Sequence, residues 1–106
     1  MQSLAVTGLR KIDLSPSQAH EVRCILTSVL PTRHVWVFGS RATGRARPYS
    51  DLDILISTAE PLTWRHRADL LDAFEASDLP FRVDMVEESR LAPGMVARVL
   101  AERLPL

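Results

Sequence analysis

Two aspartates separated by a single residue are the feature of this sequence that points most directly to chemistry. Asp51 and Asp53 open the segment DLDILIS, whose other residues are mostly apolar and typical of a buried strand. Side chains two residues apart in a strand project from the same face of the sheet. Two adjacent carboxylates repel each other, and a fold normally tolerates them only when a cation lies between them. The pattern therefore predicts a site for a hard divalent metal ion such as magnesium.

A glycine and a serine precede this pair. The apolar residues 35–38 predict a short buried strand that ends at Gly39 and Ser40. Glycine adopts backbone conformations that other residues resist, and such a turn can direct backbone N–H groups and a hydroxyl at an anion. Residues 41–50 then separate Ser40 from Asp51. We interpret the segment as a phosphate-binding turn beside a metal site.

The whole motif closely resembles the signature of the nucleotidyltransferase superfamily typified by DNA polymerase β, which is Gly-Ser, a spacer of similar length and Asp-x-Asp. It is most similar to the small members called minimal nucleotidyltransferases, several of which serve as antitoxins beside HEPN-type RNase toxins. The residues that carry the resemblance are Gly39, Ser40, Arg41, Gly44, Ser50, Asp51 and Asp53. A P-loop NTPase is excluded, because no G-x-x-x-x-G-K-[ST] sequence occurs.

The resemblance implies ATP as substrate and two Mg2+ ions as cofactors. Asp51 and Asp53 would hold both ions, and Asp84 would complete the site of the second and help to deprotonate the acceptor hydroxyl. Gly39 and Ser40 would bind the phosphates of the nucleotide. Catalysis would then depend on positioning and charge neutralisation rather than on a covalent enzyme intermediate.

Asp84 is the candidate outside the motif. It interrupts the alternating segment 81–86, where an unpaired carboxylate would be costly. The superfamily places a third carboxylate on the strand beside Asp-x-Asp, which favours a catalytic role. The rival interpretation is a salt bridge with Arg82, two residues away on the same face. Glu87 and Glu88 are weaker candidates, which we expect to lie in an exposed loop at the end of the strand.

Three arginines lie close to the motif in sequence. Arg41 could reach the triphosphate or could form a structural ion pair with an acidic residue, and both roles stay open. Arg45 and Arg47 are expected to be solvated loop charges that could face a partner or the nucleotide.

The remaining elements follow from capping residues and apolar spacing. Ser15 and Pro16 predict the start of a helix that Pro31 ends. A second helix is predicted from 62 to 77 and a third from Pro93. The expected apolar stripe of the second is Trp64, Ala68, Leu71 and Phe74, and the third is expected to carry Arg98 and Glu102 on its polar side. Residues 6–9 predict either a loop or an edge strand.

The order of these elements is helix, strand, strand, helix, strand, helix. The two central strands are joined by a connection too short for a crossover helix, so we expect a small mixed sheet. Together with the resemblance, this predicts α/β (α+β) content and a polymerase β-like nucleotidyltransferase fold, with helices flanking the sheet, in a single domain of residues 1–106.

Composition limits the class of protein. The chain has 106 residues, 46% of them hydrophobic, and a formal net charge of zero. These values are ordinary for one small globular domain and give no basic surface for direct nucleic-acid binding. The single cysteine, Cys24, is expected to be a buried apolar residue. No long apolar run or signal-peptide pattern occurs, so a cytoplasmic protein without a membrane segment is expected.

The small size also suggests the acceptor. Little remains beyond the catalytic sheet, so an acceptor with its own binding surface is expected. The resemblance implies a tyrosine hydroxyl on a HEPN-type toxin, adenylylated by its antitoxin. The alternatives are an antitoxin that binds its partner without transfer, through an apolar surface such as that of residues 95–104, or transfer to a small molecule such as an aminoglycoside, for which a dimer could supply the acceptor site. A homo-oligomer is possible.

Overall fold

The computed structural model describes residues 11–31 and 33–106, and the predicted loop or edge strand at 6–9 lies outside them. Helix α1 spans Pro16–Val29. Its start is a capping box, because the Ser15 hydroxyl accepts the Gln18 N–H at 3.1 Å and the Gln18 side chain accepts the Ser15 N–H at 2.9 Å. The predicted start at Pro16 is confirmed.

The described residues form a four-stranded sheet in the order β3–β2–β1–β4. Strand β1 is His34–Phe38, β2 is Leu52–Ser57, β3 is Val83–Glu87 and β4 is Leu104–Pro105. β1 pairs antiparallel with β2 and β4, whereas β2 and β3 are parallel. The predicted mixed sheet is confirmed, and β4 is a short edge strand that the sequence pattern did not indicate.

Helices connect these strands. The four-residue helix α2, Ser40–Thr43, lies directly after β1. Helix α3, Trp64–Glu75, is the crossover between the parallel strands β2 and β3. A 3-10 turn at Glu88–Arg90 leads to helix α4, Pro93–Glu102, which precedes β4.

Side chains of each strand alternate between the two faces of the sheet, and a separate apolar cluster packs on each face. On one face, α1 and α3 pack Leu26 and Leu70 against Ile54 and Ile56 of β2. On the other face, Val99 of α4 packs with side chains of β1 and β2 in a smaller cluster. The side chain of Ile54 lies on the first face. Because neighbouring strand residues point in opposite directions, the side chain of Asp53 lies on the second face. The functional carboxylates therefore lie on the side of the sheet that α4 covers.

Two expectations about α3 are wrong. The helix begins after Thr63, whose hydroxyl accepts the His66 N–H at 3.0 Å, rather than at 62. Its buried residues are Leu70 and Phe74. The expected stripe of Trp64, Ala68, Leu71 and Phe74 does not form, since Trp64 is 79% exposed and Leu71 is also exposed. Trp64 is the first residue of the helix, and the side chains that face the core come later, at Leu70 and Phe74.

Two single-residue expectations are also wrong. Cys24 is exposed, with its Sγ 3.4 Å from His20 Nε2. Glu87 is buried instead of lying in an exposed loop. Burial by itself would raise the pKa of Glu87, but hydrogen bonds from the Leu62 N–H and the Arg67 guanidinium, with the charge of Arg90, lower it overall. Glu87 thus anchors the segment between β2 and α3.

In the described residues, no helix is both long enough and apolar enough to cross a bilayer.

Candidate active site

Three aspartates lie at the same end of two neighbouring parallel strands. Asp53 pairs directly with Asp84 in the β2–β3 register, and Asp51 lies just before β2. The three positions share one face, because 51 and 53 are two residues apart and Asp53 is opposite Asp84. The structure thus brings together the three carboxylates that the sequence singled out, and Asp84 does not lie on the opposite side of the sheet.

The electrostatics of Asp53 reflect this proximity. Burial, followed by the charges of Asp84 and Asp51, raises the pKa of Asp53 to about 6. Glu102 also contributes to this rise in the pKa of Asp53, and the charge of Arg98 opposes it. Concentrated negative charge of this kind is typical of functional sites, because it destabilises a fold unless a cation is supplied.

One cation of the protein itself lies between two of the carboxylates. Arg82 Nη2 is 3.5 Å from Asp84 Oδ1 and 4.0 Å from Asp51 Oδ2. The salt bridge proposed as the rival role of Asp84 therefore exists. It leaves Asp84 on the face shared with Asp53, and the Arg82 side chain is 79% exposed. Within 11–31 and 33–106, no three His, Cys, Asp or Glu side chains are placed to hold a metal ion, so metal ligation by the three aspartates stays a prediction.

The Gly39–Ser40 turn packs directly against Asp53. Gly39 has φ 74° and ψ −154°, a conformation that essentially only glycine adopts. A Cβ atom built on Gly39 would lie 2.3 Å from Asp53 Oδ2, which is far inside van der Waals contact. The backbone conformation therefore requires glycine at position 39, and a Cβ there would also force the Asp53 carboxylate to move.

Among the described residues, Arg41 forms backbone contacts rather than the structural ion pair that was one of its two expected roles. Its guanidinium is buried and donates to the carbonyl oxygens of Asp13 at 2.7 Å, Pro48 at 2.9 Å and Ser50 at 3.1 Å. It also stacks over the ring of Phe81, 4.1 Å from its centroid. These contacts hold the loop that leads to Asp51. In this arrangement Arg41 positions the site through the backbone, and the predicted nucleotide contact stays untested.

Replacing Arg41 with glutamine is expected to lower the free energy of unfolding by about 3 kcal/mol, since the buried guanidinium and its hydrogen bonds to backbone carbonyl oxygens are lost. Urea unfolding followed by circular dichroism measures this. The matched control is Arg23→Gln on the exposed surface of α1, where a change within about 0.5 kcal/mol is expected. Equal losses in the two variants would contradict the structural role of Arg41.

Helix α4 brings two residues to the site that sequence reasoning placed only on a polar helix face. The Gly39 N–H donates to Glu102 Oε1 at 3.2 Å. Arg98 precedes Glu102 by one helical turn, on the same side of α4. The amphipathic pattern of α4 showed that both residues avoid the core, but gave no signal that this side faces the turn.

A family comparison decides the class of protein to which this site belongs. Residues 21–105 match the model of the polymerase β nucleotidyltransferase family. The chain belongs to this nucleotidyltransferase family. The matched region contains the Gly39–Ser40 turn and all three aspartates, and the predicted nucleotidyltransferase class and fold are confirmed.

Comparisons with individual proteins give more specific names than the family does. The chain is 42% identical to the "Probable protein adenylyltransferase MntA" of Haemophilus influenzae, over 77% of this chain and 72% of that protein. It is 39% identical to the protein adenylyltransferase MntA of Thermococcus cleftensis, over 66% and 70%. A solved structure of a mutant of the toxin–antitoxin MntA–HpeT is similar at a TM-score of 0.67 and 25% identity, covering 83% of this chain and 70% of that one.

Proposed function

We propose that this nucleotidyltransferase transfers AMP from ATP to a tyrosine hydroxyl group on a toxin partner and thereby acts as an antitoxin. The observation that carries the proposal is the direct pairing of Asp53 with Asp84 beside a glycine turn packed on the Asp53 carboxylate. The similarity to two protein adenylyltransferases supports AMP as the transferred group.

Mg2+ is the cofactor that the carboxylate oxygens suit best. Asp51, Asp53 and Asp84 would hold it, and the guanidinium of Arg82 between Asp51 and Asp84 supports a preference for positive charge at this point. The exposed Arg82 side chain can turn away without disturbing the core. When bound, the metal would supply the charge that neutralises the triphosphate.

The residues of the chain account for the remaining requirements of transfer. The Ser40 hydroxyl and the amides of the turn bind phosphate oxygens. Asp84 accepts the proton as the acceptor oxygen bonds to the α-phosphorus, and the bond from that phosphorus to the pyrophosphate oxygen breaks. Because pyrophosphate leaves in line with the attacking oxygen, the protein chiefly positions the two reactants.

Helix α4 offers an exposed apolar surface for a partner. Helix α4, whose Glu102 reaches the turn, exposes the apolar side chains of Met95, Val96 and Leu100. An exposed apolar patch beside a catalytic site is suited to docking a protein acceptor. The same patch favours a second candidate function, in which the protein neutralises its partner by binding without transfer.

A labelling experiment distinguishes the two candidate functions. The protein is incubated with its co-expressed partner and with ATP labelled either at the α- or at the γ-phosphate. Incorporation of the α-label but not the γ-label into the partner supports AMP transfer. A stable complex that incorporates neither label, and whose affinity is unchanged in Asp53→Asn, supports the binding function and contradicts transfer. Phenylalanine substitutions in the partner then test for a tyrosine acceptor.

A further inference from the structure

The last residue of α4 places a fourth carboxylate at the candidate active site. Glu102 Oε1 accepts the Gly39 N–H at 3.2 Å, although the two residues are 63 positions apart in sequence. The Glu102 side chain is only 16% exposed. Glutamate is rarely covered to this degree unless the fold gives it partners.

Other charged side chains of the candidate active site lie close to Glu102. Its carboxylate lies close enough to Asp53 to contribute to the raised pKa of that residue, beside Asp84 and Asp51. Arg45 Nη2 lies 3.9 Å from Glu102 Oε2, and the Arg45 side chain is largely exposed. An ion pair of this length with an exposed partner contributes little and is easily exchanged.

The contacts of Glu102 are those that a phosphate group would make. A phosphate oxygen at the Gly39–Ser40 turn would also accept a backbone N–H and would also attract a nearby guanidinium. The backbone of Arg45 is also attached to the turn, since the Arg45 N–H donates to the Ser40 carbonyl oxygen at 3.1 Å. The Arg45 side chain can therefore change partners while its backbone stays at the site.

We propose that Glu102 is an internal substitute for a nucleotide phosphate: it holds the Gly39 N–H and Arg45 until a triphosphate displaces it, and Arg45 then pairs with that triphosphate. The inference rests on the proposed function, because it assumes that the triphosphate binds at this turn. It makes Glu102 a residue that weakens nucleotide binding and Arg45 one that strengthens it. Loading of the site thus requires the end of α4 to release the turn.

The glutamine variant separates this role from a structural one. Glu102→Gln keeps an oxygen that can accept the Gly39 N–H and removes only the charge. Isothermal titration with a non-hydrolysable ATP analogue is expected to show about fivefold tighter binding by Glu102→Gln than by the wild-type protein, the scale of one partly screened charge. Binding of uncharged adenosine is expected to be unchanged. Glu75→Gln on the exposed face of α3 is the matched control and is expected to bind like the wild type.

Arg45→Gln tests the other half of the exchange. This variant is expected to bind the ATP analogue about fivefold more weakly in the Glu102→Gln background, where no internal carboxylate competes for Arg45, and to lose less affinity in the wild-type background. A loss that disappears in that background would mean that Arg45 acts only by restraining Glu102 and would overturn the exchange. Unchanged or weaker binding by Glu102→Gln would overturn it too.

A second measurement covers the case in which the variant is unstable. In the wild-type protein, the Gly39 amide resonance is expected to shift on addition of the ATP analogue as its acceptor changes. A Gly39 resonance that does not respond while the analogue binds would overturn the inference and leave the proposed function standing. Failure of the wild-type protein to bind the analogue at all would overturn both.

Discussion

Asparagine in place of Asp53 is expected to abolish nucleotidyl transfer while making the metal-free protein more stable. Asparagine has the same shape but cannot supply the charge that the metal and the triphosphate require. Loss of such an electrostatic contribution costs a factor on the order of 10^3 or more in rate. Label transfer from ATP to the partner measures this loss, and Asp69→Asn on the exposed surface of α3 is the control that should retain full activity.

The gain in stability follows from the pKa of Asp53. Burial and the charges of Asp84 and Asp51 raise it from 3.8 to about 6. Between these values the folded protein binds more protons at this residue than the unfolded chain does. The favourable contribution of Asp53 is therefore fully present below pH 3.8 and is lost as the pH rises through about 6.

Chemical unfolding in the presence of a chelator tests this sign. Removing the charge is expected to raise the free energy of unfolding by about 1 kcal/mol at pH values above that window, after allowance for screening of a partly exposed group. Toward acidic pH the wild type and Asp53→Asn are expected to converge. A variant that is less stable than the wild type at neutral pH would contradict the assignment of Asp53 as a strained, functional carboxylate.

Alanine at Gly39 is expected to cause the largest combined loss of stability and activity. The added Cβ would lie 2.3 Å from Asp53 Oδ2, and the backbone conformation at φ 74° is strained for any residue with a side chain. We expect a loss of about 3 kcal/mol in the free energy of unfolding, together with loss of transfer. Thermal unfolding and the labelling assay measure the two effects.

A matched glycine and a double variant separate the two causes. Gly94 lies near the start of α4 and has open space where its Cβ would be. Gly94→Ala is therefore expected to be neutral or stabilising by up to about 1 kcal/mol. If the clash dominates, the penalty of Gly39→Ala should shrink in an Asp53→Ala background, whereas pure backbone strain would leave it unchanged. A Gly39→Ala protein with wild-type stability and activity would contradict the close packing of the turn.

Features encoded by neighbouring residues could be predicted from the sequence. The start of α1 depends on Ser15, Pro16 and Gln18, which lie within one turn of each other. The turn at Gly39 and the shared face of Asp51 and Asp53 follow from the spacing within a single segment. The mixed sheet was predicted for a similar reason, because the short connection between β1 and β2 restricts how these strands can pair.

Features that depend on distant partners were not predictable in this way. The buried guanidinium of Arg41 is stabilised by backbone carbonyl oxygens of the loop and of Asp13. Every residue has a backbone carbonyl group, so the sequence does not indicate which of them will accept these hydrogen bonds. Glu102 looked like an ordinary surface residue because its partner, Gly39, is in a remote part of the chain. In α3, both Trp64 and Leu70 have helical apolar spacing, and only the packing against α1 and the sheet selects Leu70 for the core.

The affinity for a non-hydrolysable ATP analogue, measured with and without Mg2+ in the wild type and in Asp53→Asn, tests the central claim most directly. If Asp53 is a ligand of every cation that carries the nucleotide, Mg2+ should tighten binding by the wild type about tenfold or more and should have little effect on Asp53→Asn. Asp78→Asn, an exposed position before β3, should respond to Mg2+ like the wild type. An equal Mg2+ effect in wild type and Asp53→Asn, or no Mg2+ effect in the wild type, would contradict the account.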